Sequence, residues 1–142
     1  MVITPIVNDG RINRSKTTLN KIVAATISLL RKNNNGQIPT AQEIAVKSGV
    51  GIRTVFRHID DMEGLIEEVN RRYLNDLESY IAKNNPKQNS KDQRIEHVIK
   101  ERFYLYNTYQ HVFNLTITSL NNSNAIRTGF IKFNHILRQR FE

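Results

Sequence analysis

Arg53 and Arg57 stand four residues apart in the stretch Thr40–Ile59, TAQEIAVKSGVGIRTVFRHI. On a helix that spacing puts two guanidiniums on one face, and each offers a fork of N–H donors that fits a guanine edge or a phosphate. Ile52, Thr54 and Gln42 would touch neighbouring bases. Thr40, Lys47, Phe56 and His58 would position the same helix on a sugar–phosphate backbone, where contacts set register and carry no sequence information. The chemistry on offer is recognition, with no bond made or broken.

Other groups that could do chemistry point elsewhere. Asp60, Asp61 and Glu63 raise the question of paired carboxylates for acid–base catalysis. A helix cap answers it better, since an aspartate can accept from the first free amides of a helix and Glu63 would lie in its favourable first turn. Of His97, His111 and His135, only His97 has an acidic partner four residues on, Glu101, and neither HxxxH nor HExxH occurs. The chain has no cysteine, which removes disulfides, thiolate metal sites and a cysteine nucleophile. There is no GxSxG, no GxxxxGK[ST] and no glycine-rich strand-to-helix turn. No catalytic residue, cofactor or metal is expected, and the chain does not read as an enzyme.

The elements that must hold Arg53 and Arg57 follow from local signals. Thr40 and Glu43 have the spacing of a capping box, in which each side chain bonds the other residue's amide. Ile44 and Ala45 supply the inner face of that first short helix. Gly49 can take the positive φ of a tight turn, and Val50 plugs it. A second short helix runs from Gly51 to about His58 with Val55 and Ile59 turned inward. Upstream, Leu19, Ile22, Val23, Ile27, Leu29 and Leu30 recur at helical steps over Thr17–Asn33, and the run Asn33–Gly36 closes that helix. These helices would share a core of Leu19, Val23, Ile27, Leu30, Ile44, Val50, Val55 and Ile59. The pattern is that of a helix-turn-helix whose second helix has the size to enter a DNA major groove.

From about Thr17 to Leu65 the chain resembles the DNA-binding domain of the tetracycline-repressor (TetR) family of bacterial transcriptional regulators. The family pattern T-x-x-x-I-A-x-x-x-G-V-S-x-x-T-x-Y-x-H-F stands here as Thr40, Ile44, Ala45, Gly49, Val50, Gly51, Thr54, Phe56, His58 and Ile59. Gly51 replaces the usual capping serine, Phe56 lacks a tyrosine hydroxyl, and Met62 stands where a phosphate-binding lysine is common. The resemblance implies a sequence-specific regulator, a repressor, that binds a palindromic operator in double-stranded DNA as a homodimer. It implies release by a ligand or partner acting on a helical C-terminal domain, with Leu65, Val69 and Tyr73 as levers. A small apolar or aromatic inducer would sit among Phe103, Tyr106, Tyr109, Phe113 and Phe130. Members usually continue with two further helices that pair between subunits, so the chain reads as cut short.

Charge agrees with this division. The chain carries a net +8, and residues 1–59 hold nine Lys and Arg against Asp9 and Glu43, leaving the remainder nearly neutral. A cationic excess gathered on one segment is the footprint of a phosphate-facing surface. The expected architecture is all-α: a basic extended arm over residues 1–16, a three-helix unit over 17–61, and a helical ligand-binding and dimerisation domain over 62–142. Within the last, a long helix Met62–Lys83 is followed by a loop Asn84–Ser90, a helix ending near Asn107 and Thr108, a second to Leu120, and a final stripe Ile126, Phe130, Phe133, Leu137, Phe141. Nothing in the sequence targets or spans a membrane, and the lack of cysteine suits a reducing cytoplasm. The competing reading is a basic helical module that meets an acidic protein or an anionic polymer without sequence preference.

Overall fold

The computed structural model describes residues 10–33, 37–59, 61–84 and 90–139. Among them the chain is all-helical: α1 Gly10–Asn33, α2 Ala41–Ser48, α3 Ile52–His58, α4 Met62–Lys83, α5 Lys91–Ser119 and α6 Asn124–Gln139. No helix among the described residues is long and apolar enough to cross a membrane.

Residues 10–16, expected as extended arm, form the first turns of α1 instead. These turns lack apolar periodicity because none of their residues is buried. They are held by local bonds, with the Thr17 hydroxyl donating to the Asn13 carbonyl at 2.9 Å and the Arg14 Nε to the Gly10 carbonyl at 3.0 Å. Residues 1–9 of that expected arm lie outside the described residues, as do Asn34–Gly36, Asp60 and Phe141.

Below those turns, α1 buries Ile22, Val23, Ala25, Thr26 and Leu30 and packs on α2, α3, α4 and α5. Its core continues through Ile44, Val55 and Ile59 into Leu65, Ile66, Val69 and Tyr73 of α4. Leu19, Ile27 and Val50 pack against this core and are only partly buried. Asp61 caps α4 by accepting from the Gly64 amide at 2.7 Å.

The break expected near Asn107 and Thr108 is absent: α5 runs unbroken for 29 residues. Asn and Thr are weak helix formers but, unlike Pro, they lose no backbone bond and cost well under about 1 kcal/mol each inside a helix. The phase also differs from the apolar pattern, because Val98, Glu101, Leu105, Val112, Leu115 and Ser119 are buried whereas Ile95, Ile99 and Phe103 are exposed. Ser90 caps α5 with a reciprocal Gln93 bond. Ser123 caps α6, accepting from the Ile126 amide at 3.2 Å while its hydroxyl donates to the Glu67 carboxylate of α4 at 2.5 Å.

Cross-helix contacts fix the directions. Asn70 meets Thr116 and Tyr80 stacks on Tyr104, so α4 and α5 are antiparallel. Glu67 meets Ser123 and Glu78 pairs with Lys132 at 3.0 Å, so α4 and α6 run parallel.

Candidate functional site

The α2–α3 pair is built by short-range chemistry. The Thr40 amide donates to Glu43 Oε2 at 2.8 Å, the Glu43 amide donates to the Thr40 hydroxyl at 3.2 Å, and that hydroxyl donates to Glu43 Oε2 at 2.8 Å. The Thr40 amide first, and its hydroxyl second, hold the Glu43 carboxyl below the usual carboxylate range. Gly49 closes α2 at φ 67°, the left-handed conformation that a Cβ resists. Gly51 starts α3 with no side-chain cap.

With this turn in place, Val55 is fully buried and Ile59 nearly so. At 3.6 residues per turn, Arg53 and Arg57 point roughly 160° away from Val55, straight out from the molecule. Both are exposed, and neither forms an ion pair among the described residues. Two large apolar side chains lie along one flank of α3: Ile52 is 39% and Phe56 56% exposed. Gln42 and Lys47 are exposed on α2, while Thr54 and His58 are half-buried along the flanks of α3. Thr40 is exposed, yet both its donors are engaged by Glu43, so it would meet a phosphate only by giving up a cap bond. Arg11, Arg14 and Lys16 lie exposed on the first turns of α1, which contain no acid.

The second feature is a cavity of about 350 Å³ between α4, α5 and α6. Tyr106, Tyr109, Phe113 and Phe130 line it, together with Leu74 and Leu105. Phe103, expected with them, does not: it is 70% exposed on the outer side of α5. Its placement follows from the burial of Glu101, which turns the helix away from the phase that the apolar residues alone suggest. One end of the cavity is marked by the Thr116 hydroxyl, which donates to Asn70 Oδ1 at 2.5 Å, while Asn70 Nδ2 donates to the Ile66 carbonyl at 3.1 Å. The other end is marked by Arg102, whose Nη2 donates to the Leu137 carbonyl at 3.1 Å.

A third group links the two features. Arg31 Nε near the end of α1 lies 3.4 Å from His111 Nε2, and the Tyr73 hydroxyl lies 2.8 Å from the same nitrogen. A guanidinium can only donate, so Nε2 must be the acceptor, the ring proton must sit on Nδ1, and Tyr73 must donate. Burial first, and the charge of Arg31 second, lower the His111 pKa and keep the ring neutral. Burial likewise pushes the phenols of Tyr73 and Tyr109 up. The two rings meet edge to face at 5.3 Å, and both line the cavity.

Arg31, Asn70, Arg102 and Thr116 escape notice in the sequence as site residues, and His111 is weighed there only as a metal ligand. Arg31 reads as an ordinary base at a helix end, Arg102 as one polar residue in an apolar run, and only their long-range partners single them out. A comparison with models of known protein families finds no match for this chain, and a comparison with curated proteins finds none.

Proposed function

We propose that the chain is a sequence-specific DNA-binding transcriptional regulator, a repressor, in which α2 and α3 form a helix-turn-helix and the α4–α6 half binds a ligand that releases the DNA. The observation that carries this reading is the outward side of α3. A seven-residue helix offers Arg53 and Arg57, without ion-pair partners among the described residues, and exposed Ile52 and Phe56 on its flank, within a segment holding most of the net positive charge. Cations opposite a filled core suit phosphate and guanine, and the apolar pair suits thymine methyl groups. Arg11 and Arg14 support it, because cations at the positive end of a helix dipole are locally unfavourable and become favourable against an anionic backbone. The resemblance to the tetracycline-repressor family adds an operator of two-fold symmetry read by a homodimer.

The experiment is selection of binders from random duplex DNA at moderate salt, followed by sequencing of the retained pool. An inverted repeat should be enriched. Arg53→Ala should weaken binding to it by about 1–3 kcal/mol, roughly five- to 150-fold, and relax preference at one base position. Binding that is steeply salt-dependent but enriches nothing would overturn this reading in favour of a basic module for anionic polymers.

A further inference from the structure

We propose that the outward stripe of α5 pairs two copies of this chain, with the two α5 helices antiparallel about a two-fold axis beside Tyr106. The inference goes beyond the proposed function, which calls for a homodimer but gives it no face, and it stands on α5 alone.

The stripe comes from spacing and exposure together. Ile95, Ile99, Phe103, Tyr106, Phe113 and Ile117 follow one another at steps of four, four, three, seven and four, so at about 100° per residue they fall within a band about 80° wide. All are between 42% and 70% exposed, turned away from buried Leu105 and Val112. Steps of three and four are what let a second helix lay its side chains between these. At about 200 Å² for a fully exposed side chain of this size, they leave roughly 600 Å² of largely apolar surface on each chain. Two copies together would remove about 1,200 Å² from water, the lower edge of what a specific, stable interface buries.

Charge agrees and sets the direction. Every Asp, Glu, Lys and Arg of α5 lies between Lys91 and Arg102, and Phe103–Ser119 has none. Depletion of charge beside exposed Tyr and Phe is the composition of an interface core. A parallel pair would lay each charged end against its own copy, so that like meets like. An antiparallel pair lays it against the uncharged half and opposes the two helix dipoles.

Symmetry names the occupant. A two-fold axis needs a surface that matches itself when turned end for end. About Tyr106 the stripe does so: Ile95 comes opposite Ile117, Ile99 opposite Phe113, and Tyr106 opposite its own copy. A partner of different sequence would need no such palindrome. Tyr106 and Phe113 also line the cavity between α4, α5 and α6, so the second copy would cover part of its wall.

The test is analytical ultracentrifugation of the full chain over a range of concentrations, in which a reversible equilibrium of monomer and dimer should appear. Phe103→Glu should weaken the dimer about hundredfold or more. Thr118→Glu, exposed on α5 but about a third of a turn off the stripe, should leave it within about threefold. Cross-linking then reads the geometry, because the chain has no cysteine of its own. With a short bis-maleimide linker, Tyr106→Cys should link to its own copy. Ile95→Cys should link to Ile117→Cys and not to itself, since the two copies of residue 95 would lie roughly 33 Å apart. A chain that stays monomeric at every concentration would overturn the inference and leave the stripe to a different partner. A dimer that Phe103→Glu leaves intact would overturn it too, as would Ile95→Cys linking to itself as readily as Tyr106→Cys. Sedimentation of the unaltered chain and the cross-linking pattern hold whether or not Phe103→Glu folds. A dimer that selects no duplex would refute the DNA reading alone, and duplex selection by a monomer would refute the α5 inference alone.

Discussion

Ile44 and Val55, within helices of eight and seven residues, and Ile59, just after the second, reach full or nearly full burial, whereas the far longer α5 leaves Tyr106, Phe113 and Ile117 between 42% and 55% exposed. The α2–α3 unit has a filled core and carries Arg53, Phe56 and Arg57 on the outside. The α4–α6 half has an interior that its own side chains do not fill, and its polar groups gather at the two ends of the hollow. A rigid reading surface needs the first solution, because base contacts tolerate little displacement. A ligand site needs the second, because closely packed interiors leave no room for a guest.

The largest effect that would sharpen this contrast is on stability. Ile44→Ala deletes a fully buried side chain from close packing and should cost about 2–5 kcal/mol in a urea melt. Leu74→Ala removes a partly buried side chain that already faces empty space, and should cost only about 1–2 kcal/mol while enlarging the cavity. Equal losses would mean that the two halves are packed alike.

A smaller effect isolates the turn that aims α3. Gly49 and Gly51 both have open space where a Cβ would go, but Gly49 sits at φ 67° and Gly51 at φ −58°. Gly49→Ala should therefore cost about 1–2 kcal/mol from backbone strain alone, with Gly51→Ala near neutral. A neutral Gly49→Ala would show that the turn does not need the left-handed conformation.

The smallest effect lies at the junction of the two regions. His111 has a pKa lowered from 6.5, so below that value the unfolded imidazole takes up a proton that the folded ring still refuses. Its stabilising contribution is fully present above pH 6.5 and is lost as pH falls from there towards the lower folded value. His111→Gln should flatten the decline of stability as pH falls below about 6.5. An unchanged slope in equilibrium melts would remove His111 as its source.

How much of this was legible in the sequence depended on the range of the interactions. The Thr40–Glu43 box, the Gly49 turn and the inward Val55 and Ile59 are set by residues at most four positions apart, and each stands where its local signal put it. The first turns of α1 were missed because a helix with no buried face leaves no apolar period to read. The phase of α5 was misread because Glu101, His111, Thr116 and Ser119 are buried polar residues, and what satisfies two of them lies 38 and 46 positions away. The hollow itself has no local signature, since a void belongs to three helices at once and to no segment of any.

The continuity of α5 across Asn107 and Thr108 has a mechanical consequence. A rod of 29 residues is about 43 Å long, so a pivot of only 5° about its middle carries each end through about 2 Å. With no hinge to absorb the motion, any load on α5 between Arg102 and Thr116 also bears on His111, and through it on Arg31 of α1. Leverage, supplied by the plain stiffness of one helix, lets a small load in the hollow half be felt in the filled one.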